Sequence, residues 1–421
     1  MPPELAHILL IAIVAISILL MLVRPKDLPE VWWVGSGAAL LVLLRLIPLP
    51  AAGKAIAQGS DVYLFLIGMM LLSELAKENG VFDWHSTHSV LNAKGKRKRL
   101  FALLYGVGTV VTVCMSNDAT AVVLTPAVLA AVKKAKVPPL PYLFACAMIA
   151  NAASFVLPIS NPANLVVFGT HMPPLGQWLA AFALPSLLSI VVTYAVLRFY
   201  FWKELSDGIE CEQEPAPLQA NAMIVLAGLL LVIVVLLVAS AKGIDLGLPT
   251  CLAACVIVAL VSLIAKKNPL PLFKAISWST LLLVAALFIM VRAMEDIGAL
   301  HYTVAALQWA AHLPVTLAAL LVSFVVGVGN NIVNNLPLGL IAGATVQSAQ
   351  VQGPLAHAVL IGVDLGPNLS VTGSLATILW LLAIRKEGMN ISAWDFLKAG
   401  AIAMPAAMLA AIACVLLIHA L

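Results

Sequence analysis

Charged side chains are scarce in this chain of 421 residues. Asp, Glu, Lys and Arg together make up 10% of the sequence, whereas they make up about 25% of a typical soluble domain. Hydrophobic residues make up 62%, and the mean hydropathy is +1.06. This composition excludes a soluble globular domain and predicts a protein that crosses a membrane many times.

Two further absences exclude other classes of protein. The six cysteines are scattered through apolar surroundings, and the only close pair is Cys251 and Cys255, so we expect neither a disulfide framework nor a zinc site. The sequence contains no GxxxxGK[ST] phosphate loop, so ATP hydrolysis is not expected of this chain. We therefore expect no catalytic residues, no bound metal or cofactor and no nucleic-acid partner.

Apolar runs of about 20 residues, the length that spans a bilayer as a helix, recur from residue 5 to residue 420. About ten of them are long enough for full spans, and two further regions each hold a pair of shorter runs. The predicted fold is therefore an all-α polytopic membrane protein with about ten transmembrane helices and two re-entrant hairpins.

Basic residues predict how these spans are oriented, because Lys and Arg accumulate on the cytoplasmic side of short loops. With residues 24–26 inside, all but four of the 23 basic residues fall on the inner side. The exceptions are Arg45, Lys54, Lys242 and Arg292. We therefore expect a multi-pass protein of the bacterial cytoplasmic (inner) membrane with both termini outside.

Two regions are predicted to enter the membrane and leave it on the same side. Residues 100–132 lie between the basic runs KGKRKR and KKAK, and they contain a polar tip, SND, at 116–118. Residues 313–349 surround GNNIVNNLP and have no Lys or Arg on either flank. The first hairpin should enter from inside and the second from outside, with the second tip at Asn330 or at the pair 334–335.

Two predicted spans are interrupted near their middle. Residues 139–169 contain LPISNPANL, and residues 355–385 contain GPNLSVTGSL. Each follows a hairpin, so a first half (1–201) and a second half (220–421) repeat the same order with opposite polarity around a cytoplasmic linker (202–219). Inverted repeats with broken helices at the bilayer midplane are typical of secondary transporters.

The four interruptions carry mostly neutral hydrogen-bonding groups and no Lys or Arg. Such groups suit a small solute rich in hydroxyls, although the N-termini of half-helices leave recognition of an anion open. The candidate substrate-binding residues are Asn117, Asn161, Asn164, Asn334, Asn335, Gly373, Ser374 and Thr377.

Two carboxylates, Asp118 and Asp364, lie deep in the predicted membrane, where ionisable residues are costly and usually functional. Burial favours the protonated form of such a group, whereas nearby donors favour the ionised form. We interpret Asp118 and Asp364 as candidates for proton coupling. The alternative for each is a structural role as the cap of a half-helix N-terminus.

Four segments carry a resemblance to a known family. In chain order they are SNDATAVVLTPAVLA, ANAASFVLPISNPANLVVFG, NNIVNNLPLGLIAGA and GVDLGPNLSVTGSLATILWL. Together they resemble the arsenical pump membrane protein family, the arsenite and antimonite efflux permeases of the ion transporter superfamily. The first two segments also resemble, more distantly, the hairpin and unwound regions of dicarboxylate/sodium symporters. Asn151 departs from some relatives of the pump family, which carry an acid at this position.

The resemblance implies a secondary active transporter that exports arsenite or antimonite in exchange for protons. It also implies that the permease works alone or with a soluble arsenite-stimulated ATPase. The partners expected are these solutes, protons and the lipid bilayer. Arsenite near neutral pH is chiefly a neutral trihydroxide, which fits a site without basic residues.

Other interpretations stay open at this point. A sodium-coupled dicarboxylate or other anion transporter of the same superfamily would use the same architecture. An intramembrane aspartyl protease would use Asp118 and Asp364 as a dyad, but GVDLG is not a GxGD motif. The sequence also leaves open whether arsenite or antimonite is preferred and whether the chain forms a homodimer.

Overall fold

The computed structural model describes residues 2–169, 172–209, 220–389 and 391–420. Within these residues the backbone forms helices joined by turns, with no β-strand beyond one isolated bridge between Lys96 and Gly208. The prediction of an all-α fold is confirmed. Most of the predicted linker, residues 210–219, lies outside the described residues.

The first half of the described chain contains ten α-helices. They are α1 (Pro3–Val23), α2 (Glu30–Leu43), α3 (Leu49–Gln58), α4 (Ser60–Glu78), α5 (Val81–Asn92), α6 (Arg97–Cys114), α7 (Thr125–Lys134), α8 (Leu140–Ala152), α9 (Pro162–Phe168) and α10 (Leu175–Tyr200). A π-helix, Ala119–Leu124, runs directly into α7. Short 3₁₀ turns lie at Pro25–Asp27 and Pro158–Ser160.

The second half of the described chain also contains ten α-helices. They are α11 (Ala220–Ala241), α12 (Gly247–Ala265), α13 (Leu270–Ala275), α14 (Trp278–Asp296), α15 (His301–Ala311), α16 (Val315–Val333), α17 (Asn335–Ala349), α18 (Pro354–Leu365), α19 (Leu375–Lys386) and α20 (Ala393–Ala420). Two 3₁₀ turns, Gly366–Asn368 and Val371–Gly373, separate α18 from α19.

Seven helices of the described chain are long and apolar enough to cross a membrane. The number rises to eight if α3 and α4, which meet at a 46° bend, form one span. An interrupted helix crosses as two short segments, and neither segment reaches the length of about 20 residues that a full span needs. The predicted total of about ten spans includes such interrupted helices, and that number stays a prediction.

Packing between the two halves follows an exchange of equivalent helices. By their order in the chain, α2 corresponds to α12 and α4 corresponds to α14. Helix α4 packs against α12, and α14 packs against α2. Helices α10 and α20, the last of each half, pack against each other. Such an exchange is what a two-fold relation between inverted repeats produces.

The broken helices lie at the centre of the protein. Every residue of α8 from Pro141 to Ala152 is buried, and nearly all of α18 is buried as well. The rings of Phe144 and Phe396 pack with centroids 5.6 Å apart beside them. Neighbouring helices therefore screen the irregular backbone from lipid, which is the condition for tolerating it at membrane depth.

The open ends of the two hairpins lie on opposite faces of the protein. At the open end of the first hairpin, Arg97 forms an ion pair with Asp207 after α10, and Lys133 approaches Glu387 after α19. We call this side the basic face. The second hairpin ends at α17, where Gln347 donates to the carbonyl oxygen of Phe168 at the end of α9. This second region marks the opposite face.

Candidate functional site

The tip of the first hairpin is a short turn that is capped by its own side chains. Helix α6 ends at Cys114, and the hydroxyl of Ser116 accepts a hydrogen bond of 3.2 Å from the backbone N–H of Ala119. The side-chain oxygen of Asn117 accepts one of 2.9 Å from the N–H of Asp118. The Asp118 carboxylate is not used as a cap, and this half-buried side chain lines a cavity.

The two arms of this hairpin are tied together below the tip. The hydroxyls of Thr112 and Thr120 lie 2.8 Å apart, and both residues are fully buried. Thr120 belongs to the π-helix, a form that occurs mostly as short bulges and often at functional sites. The sequence did not predict this π-helix.

The first broken helix reverses at two buried asparagines. Asn161 is the N-cap of α9, and its side-chain oxygen accepts a hydrogen bond of 3.0 Å from the N–H of Ala163. The amide of Asn164 donates to the carbonyl oxygen of Ser154 at 2.9 Å, which holds the unwound segment in place. The oxygen Oδ1 of Asn164 is buried and has no partner among the described residues.

The second hairpin breaks at Asn334, whose φ of 78° is unusual for a residue with a side chain. Asn330, one turn earlier, donates hydrogen bonds of 2.8 Å to the carbonyl oxygens of Gly362 and Val363 at the end of α18. Asn334 donates to the carbonyl oxygen of Thr372 at 3.2 Å. These asparagines therefore attach the second hairpin to the second broken helix.

The second broken helix resumes at a capping box. The hydroxyl of Ser374 accepts a hydrogen bond of 3.1 Å from the N–H of Thr377, and the Thr377 hydroxyl accepts one of 3.2 Å from the N–H of Ser374. Gly373 is required just before this box, because a Cβ there would lie 2.5 Å from Cα of Pro367. Its backbone is tightly packed as a result.

Two hydrogen bonds join the broken helices of the two halves. The amide of Asn161 donates to Oδ1 of Asp364, and the amide of Asn151 donates to the side-chain oxygen of Asn368 at 2.9 Å. All four side chains are buried. Oδ2 of Asp364 has no hydrogen-bond partner among the described residues, although the Ser154 hydroxyl lies beside this carboxyl group.

The two halves place equivalent residues at equivalent points of these helices. A shift of 213 positions along the sequence sets Asn161 on Ser374, and both are N-caps of the second part of a broken helix. The same shift sets Asn151 on Asp364, one near the end of α8 and the other near the end of α18. The two positions therefore carry an acid in one half and an amide in the other, and the inverted repeat itself stays a prediction.

A cavity of about 120 Å³ connects the first hairpin tip with both broken helices. Its lining includes the first residues of α9 and α19, Pro162 and Leu375, and residues from the second part of α4 and the start of α14. Its polar lining residues are Ser73, Glu74, Ser116, Asp118, Ser277 and Thr280. No Lys or Arg lines it within the described residues. Of its two carboxylates, Glu74 is paired with Lys77 at 3.0 Å, whereas Asp118 forms no ion pair within the described chain.

A second cavity of about 210 Å³ lies towards the opposite face. It is lined by the start of α4, the ends of α9 and α14, and α17. Asp61, Asp245, Arg292 and Glu295 are its charged lining residues. Helix α9 lies between the two cavities, because its first residue lines one and Leu165, Val166 and the following Gly169 line the other.

The predicted site residues fall into three groups in the structure. Asp118 lines the first cavity, whereas Asp364 and Asn161 meet at the crossing of the broken helices. The others, apart from Asn117, shape the unwound segments and the second hairpin. This third group comprises Asn164, Asn334, Asn335, Gly373, Ser374 and Thr377. Asn117 lies at the first tip beside Asp118. Their roles in binding or proton coupling stay predictions.

Sequence reasoning missed the cavity residues that α4 and α14 contribute. Ser73 and Glu74 lie on α4, Thr280 lies on α14 and Ser277 is the N-cap of α14, so no interruption marked them. Glu74 was the one available signal, as an acid near the end of an apolar run. The pairing of Asn151 with Asn368 was missed too, because the two positions are 217 residues apart in the sequence.

Buried broken helices, two hairpins and a cavity between the first hairpin tip and both broken helices define a multi-pass membrane protein of the transporter class. A family model described as "Citrate transporter" (CitMHS) matches residues 6–362. The chain belongs to this family of membrane transporters.

Individual relatives extend over nearly the whole chain. It is 25% identical over 414 residues to the "Arsenical pump membrane protein" of Escherichia coli strain K12, covering 93% of this chain and 94% of that protein. It is 24% identical over 407 residues to the protein of the same name from Yersinia enterocolitica, with the same two coverages. These relatives confirm the resemblance to arsenical pump membrane proteins.

A solved structure shares the fold. The YdaH transporter of Alcanivorax borkumensis, whose crystal structure is described as revealing "an unusual topology", matches with a TM-score of 0.58. The match covers 86% of each chain at 12% sequence identity. At this identity the match shows the fold alone.

Proposed function

We propose that this protein exports arsenite or antimonite from the cytoplasm in exchange for protons. The observation that carries the proposal is the cavity in which the Asp118 carboxylate lies among hydroxyls with no basic side chain in the described lining. The relatives named as arsenical pump membrane proteins cover more than nine-tenths of the chain and support the same conclusion.

The site chemistry supports a small neutral solute. A trihydroxide of arsenic or antimony offers hydroxyl donors and acceptors, which the hydroxyls of Ser116, Ser277 and Thr280 match in the cavity. The buried oxygens Oδ1 of Asn164 and Asn335 lack donors within the described chain, and hydroxyl groups of a solute would supply them. We therefore retain Asn117, Asn161, Asn164, Asn334, Asn335, Gly373, Ser374 and Thr377 as candidate binding residues.

The proposed coupling uses Asp118 and Asp364. A charged carboxylate deep in a membrane protein is costly unless water or donors reach it, so a change of access at Asp118 changes its protonation. Asp364 has one amide donor, from Asn161, and joins the two halves at the place where the broken helices meet. We propose that protonation from outside at one of these acids accompanies release of the solute.

The proposed orientation puts the basic face in the cytoplasm of a bacterial cell, with both termini outside. The cavity at Asp118 then opens towards the cytoplasm, where an exported solute enters. Since the solute is neutral, only the proton carries charge, and the membrane potential contributes about 2.3 kcal/mol per charge per 100 mV. No ATPase is required for this cycle, although a soluble arsenite-stimulated ATPase remains compatible with it.

Everted membrane vesicles test the proposal directly. Arsenite uptake is measured after an imposed pH gradient, with and without a protonophore and without ATP. We expect uptake that follows the gradient and is lost with the protonophore and in Asp118→Asn. Asp83→Asn is the control, because it removes an exposed carboxylate of α5 outside the cavity. Equal uptake with and without the protonophore would refute proton coupling.

A sodium-coupled carrier of citrate or another carboxylate is the second candidate, and the description of the family favours it. The cavity argues against it, because an ionised Asp118 would repel a polyanion and no described lining residue is basic. Glu74 adds little to this repulsion, because it is paired with Lys77. Uptake that requires a sodium gradient and is blocked by citrate or succinate would decide for this carrier. A protease dyad is less favoured, since Asp364 bonds to Asn161 and Asp118 lines the cavity.

A further inference from the structure

A pocket of about 530 Å³ lies on the basic face, away from both cavities described above. It is formed by the start of α6, the last turns of α10 and the segment 205–208 that follows α10. Its volume falls within the range of about 300–1,000 Å³ that is usual for small-ligand sites. Five basic residues and one acid line it. They are Lys96, Arg97, Lys98, Arg99, Arg198 and Asp207.

Most of this positive charge has no counterpart in the described chain. Asp207 pairs with Arg97 at 3.0 Å, whereas Lys96, Lys98 and Arg99 form no ion pair within the described residues. The nitrogen Nε of Arg97 is buried and lacks a hydrogen-bond partner there. Among the described residues the pocket therefore carries more basic groups than acidic ones, which suits an anion.

The position of the cations on α6 strengthens this conclusion. They occupy the N-cap and the first turn of the helix, where the macrodipole is positive and cations are unfavourable. Lys96 provides no side-chain cap, so the first backbone N–H groups also lack an acceptor from it. An anion bound at this point would offset both costs.

The wall of the pocket is held by the chain that follows α10. The carbonyl oxygen of Gly95 accepts a hydrogen bond of 2.9 Å from the N–H of Ile209, beside the bridge between Lys96 and Gly208. Arg97 also donates to the carbonyl oxygen of Glu204 at 3.1 Å. The basic side chains are thus gathered around a built pocket rather than spread along a flexible loop.

The pocket lies at the level expected of lipid headgroups. Next to Arg198, the side chains of Phe199 and Trp202 are 81% and 57% exposed, and aromatic residues of this kind mark the membrane interface. On α6, the exposed positions Ala102, Gly106 and Val110 continue away from the pocket at intervals of four residues. Residues so spaced share one helix face, and the small side chains leave room for an acyl chain.

We propose that this pocket binds the phosphate group of an anionic phospholipid, whose acyl chain lies along the exposed face of α6. Basic pockets between membrane helices on the cytoplasmic side have the charge and position to hold such headgroups. Free inorganic phosphate shares the headgroup chemistry but has no acyl chain to contact Gly106. The site is separate from the cavity at Asp118 and does not depend on which solute is carried.

Native mass spectrometry of the purified full-length chain tests the proposal. The protein is titrated with phosphatidylglycerol or, in parallel, with phosphatidylcholine. We expect phosphatidylglycerol to bind more tightly than phosphatidylcholine. A double variant, Lys98→Gln with Arg198→Gln, should weaken the affinity for phosphatidylglycerol about tenfold or more. The matched control is Lys266→Gln with Lys267→Gln, two exposed basic residues after α12 that lie outside the pocket. Equal phosphatidylglycerol binding by the two double variants would overturn the proposal.

A second pair of variants distinguishes a lipid from free phosphate. A Cβ at Gly106 or at Gly176 meets no atom within 4 Å, so a larger side chain is accommodated at both positions. We expect Gly106→Leu to weaken phosphatidylglycerol binding severalfold, while Gly176→Leu leaves it unchanged. Millimolar inorganic phosphate should not displace the lipid. Displacement by phosphate, together with no effect of Gly106→Leu, would show a phosphate site without a lipid.

Discussion

The side-chain amide of Asn151 donates a hydrogen bond of 2.9 Å to the side-chain oxygen of Asn368. Asn368 in turn donates to the carbonyl oxygen of Met148 at 3.0 Å, one turn before Asn151 on α8. Both asparagines are fully buried. The break in the second half is therefore held directly on the intact part of the first broken helix, and the two halves are joined where their backbones are irregular.

This contact predicts strong coupling between Asn151 and Asn368 in a double-mutant cycle. Either single change to Ala leaves a buried polar group without its partner, which costs roughly 1–3 kcal/mol of stability. The double variant removes both groups, so its loss should be smaller than the sum by about 0.5–3 kcal/mol. The stabilities of the unmodified protein, the two single variants and the double variant are measured by thermal unfolding in detergent. Additive losses would show that the observed hydrogen bond contributes no stability.

Two substitutions at Asp364 separate its structural role from its proposed proton role. Asp364→Asn keeps an oxygen that accepts from Asn161, so the protein should remain folded while gradient-driven arsenite uptake is lost. Asp364→Ala removes the acceptor and should be less stable than Asp364→Asn by about 1–3 kcal/mol. Uptake and unfolding temperature are measured on the same preparations. Full uptake by Asp364→Asn would remove this acid from proton coupling.

The two cavities should be reachable from opposite sides of the membrane. In a variant without native cysteines, Ser277→Cys places a thiol in the cavity of Asp118, and Gln347→Cys places one in the cavity near the opposite face. A membrane-impermeant thiol reagent should label Ser277→Cys faster in everted vesicles and Gln347→Cys faster in whole cells. Labelling of both from one side would contradict the proposed orientation.

The contact between α17 and α9 requires a residue without a side chain. A Cβ on Gly343 would lie 2.9 Å from Cα of Val167, a backbone atom that cannot turn aside. Gly343→Ala should therefore lower stability by about 1–3 kcal/mol, as overpacking does. Gly176→Ala, at an open position of α10, is the control and should leave the unfolding temperature unchanged. An unaltered unfolding temperature in Gly343→Ala would show that α9 and α17 separate easily.

The first hairpin illustrates how far local sequence information reaches. Basic runs on both flanks and a polar tip predict a segment that enters and leaves on one side, and α6 and the helix after Ser116 fold back on each other with Thr112 beside Thr120. Both signals act within a few residues of the feature they predict. The same reasoning predicted the broken helices from their Pro, Gly and Asn content.

The second hairpin shows where that information ends. Asn330 and the pair Asn334 and Asn335 were equal candidates for the tip, because each is an amide in an apolar run. The break occurs at Asn334, and Asn330 instead bonds to the carbonyl oxygens at the end of α18. The position of the tip depends on the hydrogen bonds of Asn330 to a partner about thirty residues further along the chain. A loop of this length closes at a modest cost in entropy.

Composition and hydropathy were enough to predict an all-helical membrane protein and the positions of its polar interruptions. These properties follow from the cost of moving each segment, charge or unpaired backbone group into hydrocarbon, which is a local cost. The contacts of Asn161 with Asp364 and of Asn151 with Asn368 became visible only in the packed structure, as did the contribution of α4 and α14 to the cavity at Asp118. Those contacts join distant parts of the chain, because buried polar groups find their partners only when the helices pack.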